Sequence, residues 1–245
     1  MTIVKRLGWL ALLLPLGASA QAIDGNALLK KIDRNLQPES YEMYRKLINI
    51  EPDGTRKEFV LYTVKQGLDK MLVLFLSPAS EKGRSSLRLD ENMWLYIPGV
   101  GKPIRITSLQ SVVGGVFNNS DILRLDYSAE YHVEKSEQQD KTYLLHLKAK
   151  NNAVSYDRLK MWVDKKALVP LTIEAYAASG MLIKTLTYDR ITDFKNGIVR
   201  PARLTTTSPL YQGYQSVMLF SNIKKRSFPA EVFTLNYMPR AESLR

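Results

Sequence analysis

His132 and His146 are the only histidines in this 245-residue sequence, and neither has a partner at metal-ligand spacing. His146 falls on the polar side of an alternating run, which predicts a ring facing solvent. No cysteine occurs anywhere, which excludes disulfides and thiolate metal centres. The Gly-x-Ser-x-Gly turn that presents a serine nucleophile is absent. Gly114-Gly115 lacks the trailing Gly-Lys-Ser/Thr of a phosphate-binding loop. Asp121 with Asp126, and Asp189 with Asp193, form carboxylate pairs. On strands and turns such spacings read as ordinary surface chemistry. The inventory predicts no catalytic residue, no metal and no cofactor, and so a protein that is not an enzyme.

What the sequence offers instead is apolar surface in an unusual place. Met71-Leu72-Val73-Leu74-Phe75-Leu76 and Met93-Trp94-Leu95-Tyr96-Ile97 are apolar on both parities, although an antiparallel strand with one wet face should alternate. Something must cover their second face. A sandwich would do so, and so would a curled sheet wrapped around a helix or cavity. We expect the curled sheet, with a concave face that its own side chains leave unfilled for an apolar ligand. Burying one sixteen-carbon acyl chain there is worth roughly 12 kcal/mol gross, at about 0.8 kcal/mol per CH₂. Met71, Val73, Phe75, Met93, Trp94, Tyr96, Met161 and Trp162 are the candidate lining. Met181 and Met218 lie on strand-like segments as well, and methionine adapts to floppy chains.

The elements that would position this lining are mostly strands. Asp24 caps a helix over Gly25–Asn35, with Leu28, Ile32 and Leu36 recurring every four residues and Pro38 beyond its end. Thirteen strand-like runs follow: 43–50, 56–65, 71–76, 84–89, 93–97, 103–107, 127–137, 142–149, 157–163, 168–177, 182–193, 199–207 and 214–224. Short turns join most of them. In Glu51-Pro52-Asp53-Gly54, proline presets φ and glycine tolerates a positive φ. The even spacing predicts one large antiparallel meander forming a single domain. Ser108–Leu125 breaks the rhythm. A connection that long is usually functional, and it reads as a lid. Gly114 and Gly115 would be its hinge, Phe117 an apolar contact, and Asp121 or Ser120 the cap of a helical turn through Leu125. On this reading, alanine at both glycines would slow ligand exchange.

The N-terminus reads as an export signal. Lys5 and Arg6 precede an apolar Leu7–Leu16, and Ala18-Ser19-Ala20 is a cleavage site, with Ala22 a second candidate. The prediction is a signal peptide at residues 1–20 and a mature domain over 21–245 in the periplasm. No lipid anchor on cysteine is available. The formal charge of +11 becomes +9 without Lys5 and Arg6. Such a surface favours anionic headgroups or an acidic partner. The basic residues are scattered, which reads as a solvated face, and the compartment argues against nucleic acid.

One resemblance adds to this. Lys82-Gly83, then Trp94-x-Tyr96-x-Pro98, Arg105-Ile106, and Gly115 with Phe117 and Ser120-Asp121 resemble the outer-membrane lipoprotein-sorting family within the LolA/LolB-like superfamily. Tyr176, Ser179-Gly180, Lys184, Gly197 and Pro201 extend the likeness. It implies a half-barrel of about eleven antiparallel strands, covered by helices over a cavity that takes up acyl chains. It also implies a strand arginine latching the lid, for which Arg105 fits best. Asn118-Asn119 departs from the pattern, where a small residue is expected. The function this implies is a periplasmic carrier or chaperone for a lipid or lipoprotein. It would be a monomer, with an inner-membrane transporter and an outer-membrane acceptor as partners. The alternative is an envelope sensor or scaffold that binds a protein partner through the same half-barrel.

Overall fold

A computed structural model describes residues 24–124, 126–195 and 197–245. The expected signal peptide and its cleavage site lie outside the described residues. So do Leu125 of the expected lid turn and Asn196 of a predicted turn. Helix α1 (Gly25–Leu36) begins where the sequence places it, with the Asp24 carboxylate accepting from the Ala27 amide at 3.0 Å. The first arm of the sheet comprises β1 (Tyr41–Ile50), β2 (Arg56–Gln66), β3 (Lys70–Ser77), β4 (Ser85–Leu89), β5 (Asn92–Tyr96) and β6 (Ile104–Ile106). The second comprises β7 (Tyr131–Gln138), β8 (Thr142–Ala149), β9 (Arg158–Asp164), β10 (Pro170–Tyr176), β11 (Leu182–Asp193), β12 (Val199–Thr207) and β13 (Gln215–Lys225).

All thirteen strands form one antiparallel sheet, curled and unclosed, two more than the resemblance implies and as many as the alternation predicts. Its order corrects the simple meander. The sheet runs β6-β5-β4-β3-β2-β1-β13-β12-β11-β10-β9-β8-β7. Strands β6 and β7, consecutive in sequence, are the two opposite edges. The chain between them therefore has to travel the full width of the sheet, which is why this connection is long. The arms meet in the middle, where β1 pairs with β13 from Tyr41↔Lys225 to Ile50↔Gln215.

The crossing segment holds two short helices, and both correct the sequence reading. Asn118, not Asp121 or Ser120, caps α2 (Asn119–Ile122) in a reciprocal capping box with Asp121. The run expected as strand from Tyr127 begins instead with α3 (Tyr127–Glu130). Its first amides are capped from a distance: the Asp33 carboxylate of α1 accepts from Tyr127 N and Ser128 N, both at 2.8 Å. No local signal marks a cap supplied from 94 residues away.

The apolar strands are explained by two separate cores. Met71, Val73, Phe75 and Met93 face inward, against α1 and the crossing segment. Leu72, Leu74 and Leu87 face outward, under a C-terminal strap of Phe228, Val232, Phe233, Tyr237, Met238 and Leu244. The strap contains two 3-10 helices, Ala230–Phe233 and Met238–Leu244. The sequence reading ends its elements at Lys224 and assigns cover only to the concave face. Among the described residues, no helix is long and apolar enough to cross a membrane.

Candidate functional site

Among the described residues, the segment that joins the two opposite edges of the sheet, β6 and β7, packs on the concave face. Val112, Phe117, Ile122, Leu123 and Tyr127 of the crossing segment are buried against it together with Leu29, Ile32 and Leu36 of α1. Here the structure narrows the expected hollow. Between the middle of the sheet and the cover, two spaces lined by Tyr127 and Tyr156 and by Arg45 and Arg200 hold about 20 Å³ each, which is room for one water molecule. A larger space of about 240 Å³ lies between Leu109, Gly115 and Val116 of the crossing segment and Ile183 and Tyr211 beside β11 and β12. A whole acyl chain would have to displace part of the cover.

That cover is held by polar side chains arriving from several strands. Arg45 of β1 donates to the Ile122 carbonyl at 2.8 Å. Arg88 of β4 reaches the Leu123 carbonyl at 3.3 Å and pairs with Glu130. Lys184 of β11 donates to the Val116 carbonyl at 2.8 Å and to Asp121 at 2.7 Å. Lys65 of β2 pairs with Asp126 at 3.0 Å. Asn49 of β1 donates to the Val113 carbonyl, and Ser216 of β13 receives the Val116 amide. Charge-assisted hydrogen bonds contribute about 1.5–3 kcal/mol each. The set therefore amounts to about 10 kcal/mol gross, the same order as burying one long acyl chain.

These ties rest on a feature the sequence reading assigns to solvent. β1, β2, β4, β11 and β12 each send one cation inward: Arg45, Lys65, Arg88, Lys184 and Arg200, all at most 5 % exposed. Asp121 and Asp126, read as surface carboxylates, are buried and ion-paired. Strand parity was the available signal. Lys65 follows Phe59, Leu61 and Thr63 at period two, and Arg45 sits between Met43 and Leu47 on the apolar side of β1.

Burial leaves marks on ionisation. Arg45 and Arg200 fall to about 10, first through loss of hydration and then through repulsion from Arg124, with Arg45 also repelled by Arg200. Asp33 rises to about 6, chiefly through burial, with the Asp126 charge adding to it and the Ser128 and Tyr127 amides opposing it. An unfolded aspartate titrates near 3.9. Between about pH 4 and 6 the folded state therefore binds more protons at this site than the unfolded one. The Asp33 contribution makes stability fall as pH rises through that window. Urea denaturation at pH 4 and pH 7 should show the parent losing about 2 kcal/mol relative to Asp33→Asn. An unchanged difference between the two proteins would contradict the assignment.

The candidate lining residues divide between the two faces. Met71, Val73, Phe75, Met93 and Met161 come together on the concave face with Phe117. Trp94 and Tyr96 point the other way, toward the strap. Trp162, between inward Met161 and Val163, has the outward parity of β9. Met218 is buried inside, whereas Met181 is 51 % exposed at the β10–β11 turn. Arg105 is exposed and bonds Asn92, not the cover. Gly114 takes φ +74°. Gly115 is needed for closeness: a Cβ there would lie 2.1 Å from Asn49 Oδ1. Asn118 and Asn119 replace the expected small residues with bonds to Tyr156 Oη and the Thr107 carbonyl. His146 bonds Glu137 at 3.0 Å near the surface, and Asp189 forms a two-pronged pair with Arg203. No metal-binding cluster occurs among the described residues.

A curled, unclosed antiparallel sheet with a helical cover on its concave face defines a LolA-type half-barrel. A LolA superfamily protein from Nitrosomonas europaea superposes with a TM-score of 0.79 at 28 % identity, over 88 % of this chain and all of that one. A DUF1329 family protein from Desulfovibrio piger gives 0.76 at 22 % identity, over 87 % and 97 % of the two chains. A domain from Vibrio parahaemolyticus, named for outer membrane lipoprotein sorting, gives 0.74 at 19 % identity, over 88 % and 98 %. Among curated proteins, no sequence relative matches. A family profile described as "uncharacterized protein-like" matches residues 67–240, and the chain belongs to that family.

Proposed function

We propose that this protein is a periplasmic, non-catalytic carrier that binds acyl chains of a lipid or lipoprotein on the concave face of its sheet. The carrying observation is the contrast between that face and its cover. Met71, Val73, Phe75, Met93 and Met161 make a continuous apolar floor, while the segment above it is held by separable hydrogen bonds and ion pairs. The superfamily fold supports the reading, and the name of the Vibrio relative points to lipoprotein sorting. Gly114, Gly115, Phe117 and Asp121 belong to the moving part. Arg45 and Arg88 take the latch role that the resemblance assigns to Arg105. Hydrocarbon enters as the cover swings away, and an inner-membrane transporter and an outer-membrane acceptor are the partners at the two ends of the transfer.

Gly115→Ala tests this. The new Cβ collides with the Asn49 amide, so the cover loosens and exchange of a fluorescent fatty acid speeds up, about tenfold for 1.4 kcal/mol of lost closure. This reverses the slower exchange expected from a simple glycine hinge. Trp94→Glu, on the outward face, should leave uptake unchanged. Native mass spectrometry of the purified protein should detect bound lipid. Exchange as slow as the parent's, together with no bound lipid, would remove the carrier reading.

A further inference from the structure

Arg45, Arg124 and Arg200 surround one internal space of about 20 Å³, and their own bonding is incomplete. Arg45 uses only Nη1, on the Ile122 carbonyl, while its Nε and Nη2 have no partner. Arg200 donates to the Leu36 and Pro201 carbonyls and stacks over Phe220, leaving Nη2 unpaired. Arg124, half-buried, is met among the described residues by the hydroxyls of Tyr127 and Tyr188 and by the Tyr127 ring. No carboxylate pairs with any of the three among the described residues, although an unpaired buried cation is costly. Asp121 borders the space, but its oxygens are engaged by Lys184, Tyr156 and the Asn118 amide. Met43, Met71 and Met218 complete the wall, placing flexible hydrocarbon directly beside the guanidinium groups.

Arg45 and Arg200 are fixed on the sheet, and guanidinium donors beside an apolar wall match an amphiphile with an anionic head. We propose that Arg45 and Arg200 bind one oxyanion group, phosphate or carboxylate, at the head of the carried lipid, with Arg124 joining them when the cover closes over it. The closed cover already fills part of this role. The Ile122 carbonyl lies on Arg45 where an anion oxygen would lie, and Arg124 belongs to the cover itself. An arriving oxyanion takes Arg45 from Ile122, which releases the latch as the headgroup is captured. This proposal rests on the carrier reading and adds to it the charge class of the ligand and the event that opens the cover.

The test compares palmitoyl lysophosphatidic acid with uncharged monopalmitoylglycerol by displacement of a fluorescent probe, with inorganic phosphate as a headgroup-only arm. The parent should bind the phosphate lipid roughly 10- to 100-fold more tightly. Arg45→Met should abolish that preference; because it also removes a latch, the absolute affinities of both lipids shift, and the ratio of the two within each protein is what is read. Should Arg45→Met fail to fold, Arg45→Lys carries the test, since it keeps charge but loses the fork, and a reduced preference is expected. Equal affinities in the parent, or a preference that survives both variants, overturns the proposal. If neither lipid binds, the carrier reading fails. The anion site is then supported by an Arg45-dependent thermal shift with inorganic phosphate and overturned by its absence.

Discussion

Asp126→Ala is expected to destabilise the fold by about 3–5 kcal/mol, because it strands Lys65 as a buried cation without a counter-charge. Asp126 is 1 % exposed and accepts from three donors: Lys65 Nζ, Gln37 Nε2 and Arg34 Nη1, each at 3.0 Å. Those donors come from β2, from the exit of α1 and from α1 itself, so one carboxylate ties the cover to both helix and sheet. Lys65 has no measurable exposure and cannot rehydrate without local unfolding. The double variant Lys65→Met with Asp126→Leu should recover more than half of the loss, since apolar replacement of both partners removes the uncompensated charge. Urea denaturation of the three proteins decides it. A single-variant cost below about 1 kcal/mol would mean that the pair is wet and unimportant.

Ending the chain at Ser227 should have the largest effect. Phe228, Val232, Phe233, Tyr237, Met238 and Leu244 cover Leu72, Leu74 and Leu87. Each large apolar side chain buried is worth about 1.5–3 kcal/mol, so removing the strap costs several kcal/mol and leaves an outer apolar stripe on β2–β4. The truncated protein should bind a hydrophobic dye, melt at lower temperature and aggregate. Phe233→Ala, a milder version, should cost about 3–5 kcal/mol. A truncated protein with the parent's melting temperature would show that the strap is dispensable. Because the strap lies on the convex face, Phe233→Ala should lower stability without changing lipid exchange, whereas Gly115→Ala should change exchange.

Local pattern carried much of this architecture. Asp24 with leucine and isoleucine every four residues marks α1, and Glu51-Pro52-Asp53-Gly54 closes its hairpin as expected, with Gly54 at φ +87°. Alternation gave thirteen runs and the sheet has thirteen strands, closer than the eleven taken from the resemblance. Doubly apolar Met71–Leu76 correctly required cover on both faces. That cover proved to be two elements, one of them the overlooked strap. The breaks in parity were less well used. Arg45, Lys65 and Lys184 stand on the apolar side of their strands, yet scattered basic residues resemble a wetted surface when no partner is visible; Arg88 shares its side of β4 only with Ser86, and no parity signal marks it.

Residue order alone determined the helix, the strands, their turns and the place where the rhythm fails, because capping, φ preference and period-two burial act over a few residues. Tertiary structure decided which strands meet, since nothing local pairs Tyr41 with Lys225 or sends β6 and β7 to opposite edges. It also decided that the middle of the concave face is packed under a cover and that five strands point cations into it. Those contacts join residues as far apart as Asp33 and Tyr127 or Asn49 and Ser216. Their energy exists only once a curled sheet has removed the water that would otherwise solvate each charge separately.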